Sequence, residues 1–163
     1  GDHLDQEALA LARKEGAPVL ANAASAAQIE GATSISNGEK TEVLGLSIEA
    51  VPAYNIVHKR DGGEPFHPKG NGNGYVVSFG GKRVYIAGDT ENIPEMKSLK
   101  GVDIAFLPVN LPYTMTPEMA ADAARTIRPG VLYPYHYGNT EIGKLKQLLA
   151  LEKDIQVRIR ELR

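Results

Sequence analysis

Cysteine is absent from the 163 residues. That excludes disulfides, thiolate metal ligands and a cysteine nucleophile. No apolar run approaches the ~20 residues that a membrane-spanning helix needs. Neither sign of charge dominates. Lys and Arg number 18 against 20 Asp and Glu, and a net charge of -2 gives no pull toward nucleic acid or an anionic membrane. The basic residues are scattered apart from Lys153, Arg158, Arg160 and Arg163, which read as a solvated face. No solenoid repeat or low-complexity tract is visible. A phosphate loop and a dinucleotide fingerprint are missing too, because Gly70-Asn71-Gly72-Asn73-Gly74 precedes a strand instead of following one. No nucleophilic Ser–His pair stands out. The chain does not open on Met and shows no signal-peptide pattern. The expectation is a soluble protein whose preceding segment was removed or never included, so that its compartment is not read from the sequence, with the cytoplasm favoured.

What remains is an ordinary globular mixture, 42% hydrophobic and 23% charged, long enough for one domain with a real core. Residues 1–163 are therefore read as a single unit. Asp5 to Lys14 has a helical face at Leu4, Ala8, Leu11 and Ala12, with Asp5 as cap and Gly16 as stop. Ala17 to Ala21 suits a buried strand, and Ala23 to Ile29 a short helix. Ser36-Asn37-Gly38 signals a turn. The alternation at Leu44, Leu46, Ile48 and Ala50 predicts strand from Thr41 to Ala53, as one strand or as two bent at Gly45. Tyr54 to Asn73 is a long polar loop rich in Gly and Pro, a kind usually functional or mobile. Gly74 to Phe79 and Lys82 to Ala87, joined by Gly80-Gly81, form a hairpin. Val102 to Val109 is a further strand. Thr116-Pro117-Glu118 opens a helix that ends near Ile127, before Pro129. Val131 to Tyr135 is a strand, Glu141 to Leu151 a helix, and Ile155 to Ile159 a last strand. Hairpins first and strand–helix alternation afterwards predict an α+β layered domain.

Four places could carry chemistry: Asp2-His3, His67, Gly88-Asp89-Thr90, and His136 within Pro134-Tyr135-His136-Tyr137-Gly138. Taken singly, each has an ordinary explanation as a terminus, a loop residue, a turn cap or an exposed imidazole. Taken together they do not. Asp89 and His136 each lie just past the C-terminal end of an apolar strand, where open αβ sheets place ligand-binding residues. Carboxylate oxygen and imidazole nitrogen suit zinc, iron or manganese.

These pieces, in this order, resemble the metallo-β-lactamase superfamily. Gly1-Asp2-His3-Leu4-Asp5 matches the end of its H-x-H-x-D-H motif. Ala87-Gly88-Asp89-Thr90 is similar to its metal-bridging aspartate segment, and Pro134-Tyr135-His136-Tyr137-Gly138 to its last metal-binding histidine. The text from His67 to Thr90 and from Leu107 to Ala124 is similar to the branch with lactonase-like and N-acyl-phosphatidylethanolamine phospholipase D-like hydrolases. The resemblance implies an αββα sandwich lacking its N-terminal strands, and a chain that is the C-terminal two-thirds of that fold. It implies divalent metal, two zinc ions with manganese or iron as alternatives, on Asp2, His3, Asp89 and His136. It implies an ester, lactone or phosphodiester as the small-molecule substrate, with Asp2 and Asp89 as catalytic residues.

Two departures matter. The leading histidines of the motif would precede Gly1. The family's third histidine would follow Val51-Pro52-Ala53-Tyr54, where this chain has Asn55. An amide is a poor zinc ligand beside imidazole, and His67 is near enough in sequence to substitute. Lys69, Tyr113 and Tyr135 are candidate substrate contacts, with Thr114 and Tyr137 beside them; the alternative is that the tyrosines pack as half-buried aromatics. With strands missing, an apolar sheet face should stay open, so the chain should pair with itself, with the missing segment or with a partner. It should also be a poor hydrolase by itself. A non-catalytic binding module with vestigial ligands is the alternative function.

Overall fold

The computed structural model describes residues 4–162. The first helix, α1 (Gln6–Ala12), is capped as expected, with Asp5 Oδ1 accepting from the Ala8 amide at 2.9 Å. A small unit follows, in which β1 (Val19–Ala21) and β2 (Ala32–Ser34) pair in parallel around α2 (Ala23–Ala26). The main body is a seven-stranded sheet in the order β3 (Lys40–Val43), β4 (Leu46–Ala53), β5 (Gly72–Phe79), β6 (Lys82–Ile86), β7 (Ile104–Pro108), β8 (Val131–Tyr135) and β9 (Gln156–Val157). Neighbours from β3 to β6 are antiparallel, and from β6 to β9 parallel. This is the α+β layering that hairpins followed by strand–helix alternation predict.

Local chemistry accounts for most boundaries. Helix α3 (Pro117–Ile127) starts where Thr116 Oγ1 accepts the Met119 amide at 3.1 Å and ends in a left-handed Arg128. Thr41 to Ala53 takes the two-strand alternative, a hairpin that turns at Leu44-Gly45. Other details change. Leu44 takes φ +53° with 83% exposure, so its apolar character belongs to the turn and not to the alternation. A 3₁₀ helix at Pro94–Leu99 and the strand β2 were not anticipated; both are too short to show a period. The last helix, α4, is confined to Gly143–Leu148, shorter than the apolar spacing suggests.

The two faces of the sheet differ. One carries Val51, Val76, Tyr85, Ala105, Leu107 and Leu132, all buried against the 3₁₀ helix, α3 and α4. The other carries Ile48, Val77, Val84, Phe106 and Tyr133, each half-buried, with Phe79 and Ile86 exposed. Phe106 and Tyr133 stack there at 5.0 Å between ring centroids. Among the described residues, this face is therefore less completely buried than the helical one. No helix among them is long and apolar enough to cross a membrane.

Direction decides what the sheet can build. Strands β4 and β6 both run antiparallel to β5, so they run the same way; β7 and β8 are parallel to β6. The segments leaving β4, β6, β7 and β8 therefore emerge at one end of the sheet. Leu107 lies at the centre of the structure holding that end, fully buried in β7 between two parallel neighbours. Leu107→Ala is expected to lower unfolding free energy by about 2–5 kcal/mol through lost burial and a residual cavity. Urea denaturation should show the midpoint falling with an unchanged slope.

Candidate functional site

Asp89 stands three residues past β6, after a Gly88 whose φ of +65° turns the chain. His136 directly follows β8 and itself adopts φ +46°. Their side chains meet, with His136 Nδ1 3.0 Å from Asp89 Oδ1. The second oxygen, Asp89 Oδ2, lies 3.3 Å from His67 Nε2. His67 comes from the long segment after β4, the loop that the Gly and Pro content marked as functional. One carboxylate, 11% exposed, thus has an imidazole nitrogen beside each oxygen. In a tetrahedral zinc site with bonds of ~2.0–2.1 Å, neighbouring donors stand ~3.3 Å apart, so the spacing and the donor types fit divalent metal. Among the described residues no group of three or more His, Cys, Asp or Glu is placed to hold a metal ion by itself. Asp2 and His3, expected to supply further donors, lie outside the described residues.

Asn55, at the position of the family's third histidine, is buried and faces His67. Its Oδ1 accepts from the His67 amide at 2.9 Å and contacts His67 Nδ1 at 2.7 Å. The Asn55 amide nitrogen donates to the Tyr113 carbonyl at 2.9 Å and to Glu91 Oε1 at 3.2 Å. Asn55 therefore holds the imidazole that approaches Asp89.

Glu91 is fully buried, two residues past Asp89. Its carboxylate accepts the amides of Ile56, Val57 and His58, each at 2.7 Å, and lies 2.7 Å from His58 Nδ1. Burial pushes its pKa up, but the three backbone donors and Asn55 outweigh burial and hold it below the usual carboxylate range. Sequence reasoning passed over this residue, since a Glu in a polar loop reads as solvated. Asn110, after β7, was also missed; its Nδ2 is 3.5 Å from His136 Nε2.

The remaining candidates spread around this centre. Tyr135 is half-buried, and its hydroxyl is pushed up to about 12, first by burial and then by the Asp89 charge, with a Gly88 backbone hydrogen bond opposing. It is therefore a neutral donor at physiological pH, close to the Asp89 loop. Tyr113 is exposed and sets its ring edge-on to Phe66 at 5.2 Å. Lys69 places its ammonium on Glu95 at 2.7 Å and over the Tyr54 ring at 4.8 Å. Thr114 and Tyr137 take the structural alternative. Both are buried, Thr114 Oγ1 accepting the Asn110 amide and the Tyr137 hydroxyl donating to the Arg160 carbonyl.

Comparison with known proteins gives the family. Residues 2–136 match the model of the beta-lactamase superfamily domain. A UPF0173 metal-dependent hydrolase from Symbiobacterium thermophilum is 35% identical over 145 residues, covering 84% of this chain and 62% of its own length. The chain therefore spans less than two thirds of that curated relative. A crystal structure from Parabacteroides distasonis, provisionally assigned as a metal-dependent hydrolase, is 51% identical with a TM-score of 0.92, covering 100% of this chain and 73% of its own. A metallo hydrolase from Ignicoccus hospitalis is 26% identical with a TM-score of 0.73, over 96% of this chain and 70% of its own.

Gly88 offers a direct test of how tightly the backbone positions Asp89. A Cβ there would meet the Asn73 carbonyl oxygen at 2.5 Å, in a left-handed conformation that already disfavours side chains. Gly88→Ala is expected to cost at least about 1–3 kcal/mol of stability and to weaken metal binding by displacing Asp89. Denaturation and Zn²⁺ titration of the same variant check both outcomes.

Proposed function

The chain belongs to the beta-lactamase superfamily, and on that premise we propose that it is a metal-dependent hydrolase of an ester, lactone or phosphodiester. The observation that carries this reading is the Asp89 carboxylate with His67 and His136 nitrogens at its two oxygens. In this reading His67 takes the place of the family's third histidine. Asp2 and His3 would complete the donor set, which would hold zinc ions, or manganese or iron in their stead. Bound divalent metal supplies the Lewis acidity that makes water a nucleophile near neutral pH.

The chain's own groups do the rest. Asp89 holds two imidazoles in one orientation and, with Asp2, orients the attacking water. Tyr135, kept protonated by burial, can donate a hydrogen bond to charge that develops on the substrate. Tyr113 is exposed on the loop whose carbonyl holds Asn55, where it can contact a substrate. Lys69, tied to Glu95 from the segment between β4 and β5, can attract an anionic one. The half-exposed sheet face is the surface through which the chain associates with a second copy or another segment.

Metal content decides the reading. The purified protein should carry zinc, manganese or iron by elemental analysis, and Asp89→Ala should lose most of it. Hydrolysis of a panel of aryl phosphodiesters, lactones and esters should stop on chelation and return with metal. A preparation free of all three metals that also refuses them on addition would instead favour a binding module with vestigial ligands.

A further inference from the structure

Resting on the reading of His67 as a metal ligand, we propose that Glu91 and Asn55 are positioning residues that lock His67 in the Nδ1–H form and so present the Nε2 lone pair at Asp89.

The argument starts from which atoms can only donate and which can only accept. The orientation of an amide side chain is assigned from its neighbours. Around Asn55 three neighbours have unambiguous roles. The Tyr113 carbonyl, 2.9 Å from the amide nitrogen, only accepts. The Glu91 carboxylate, 3.2 Å from the same nitrogen, accepts as well. The His67 backbone amide, 2.9 Å from the amide oxygen, only donates. Reversing Asn55 would set NH₂ against N–H and oxygen against two acceptors. Its oxygen must therefore face His67, and the 2.7 Å contact to Nδ1 requires the proton on that nitrogen. In a neutral imidazole Nε2 then carries the lone pair, and Nε2 is the atom 3.3 Å from Asp89 Oδ2. That lone pair and the neighbouring carboxylate oxygen are a donor pair of the kind a divalent ion takes.

Glu91 makes the arrangement rigid. Its buried carboxylate gathers three consecutive amides, Ile56 to His58, into one anion nest. The same carboxylate holds the nitrogen end of Asn55. The Asn55 backbone N–H in turn donates to the His67 carbonyl at 2.9 Å, closing the loop on itself. Asn55 is thus oriented from both sides by groups that cannot exchange roles.

The test is made on the full chain in metal-free form, at a pH where imidazole is neutral. Long-range ¹H–¹⁵N spectra should show His67 as a single Nδ1–H tautomer in the wild type and as a tautomer mixture in Asn55→Leu. In Zn²⁺ titrations, Asn55→Leu and Glu91→Gln should each weaken binding by roughly 10- to 100-fold, the usual effect of removing an outer partner of a ligand. A wild-type His67 that is Nε2–H or mixed would overturn the proposal. So would wild-type Zn²⁺ affinity in both variants alongside weakened binding in His67→Ala. Wild-type affinity in His67→Ala would reject the metal-ligand reading itself, leaving the tautomer spectra to decide the relay. Should Glu91→Gln fail to fold, the wild-type spectrum and Asn55→Leu still decide.

Discussion

A carboxylate taken out of water must be satisfied inside the protein, and at Glu91 that requirement organises the functional end of the sheet. Burying an ion costs several kcal/mol even after the protein relaxes. Hydrogen bonds to a charged group return about 1.5–3 kcal/mol each. Glu91 collects three backbone amides and the Asn55 side-chain amide, so the donors outweigh burial. The cost is recovered only if residues 55–58 wrap around the carboxylate in one conformation. The start of the long loop is thereby determined, and with it the side of Asn55 that faces His67.

The sheet supplies the frame on which this works. Because β4, β6, β7 and β8 share a direction, residues far apart in sequence leave the sheet at one edge. Asn55, Asp89, Asn110 and His136 each follow a different one of these strands. Backbone turns then aim the side chains. Gly88 and His136 both sit in left-handed conformations at the strand exits, and Gly88 has the Asn73 carbonyl where a Cβ would go. Burial on the helical side, from Tyr85 through Leu107 to Leu132, keeps the frame stiff. The opposite face keeps its aromatic rings half-exposed, so the two sides of one sheet have different tasks.

Much of this was legible in local pattern. Thr116, Pro117 and Pro129 bound α3 by chemistry confined to a few neighbouring residues, and Gly80-Gly81 marks its hairpin for the same reason. Asp89 and His136 stood out because each pairs a metal-compatible side chain with a strand exit. Leu44 misled because an apolar residue in a left-handed turn is indistinguishable, by alternation alone, from one in a strand. Glu91 went unnoticed because nothing within a few residues of it signals burial; its amide partners are 33 to 35 residues away.

The sequence by itself determined most of the strands and helices in order, the family, and the chemical types available at Asp89, His136 and His67. These depend on periodicity, caps and residue identity, all of which are local. Tertiary structure alone decided between Asn55 and His67 as the group beside Asp89. It set the imidazole against the carboxylate and turned the amide into its support. The choice rests on Glu91 being enclosed by a loop that must travel back across the sheet end to reach it, and burial of that kind is a property of the assembled fold.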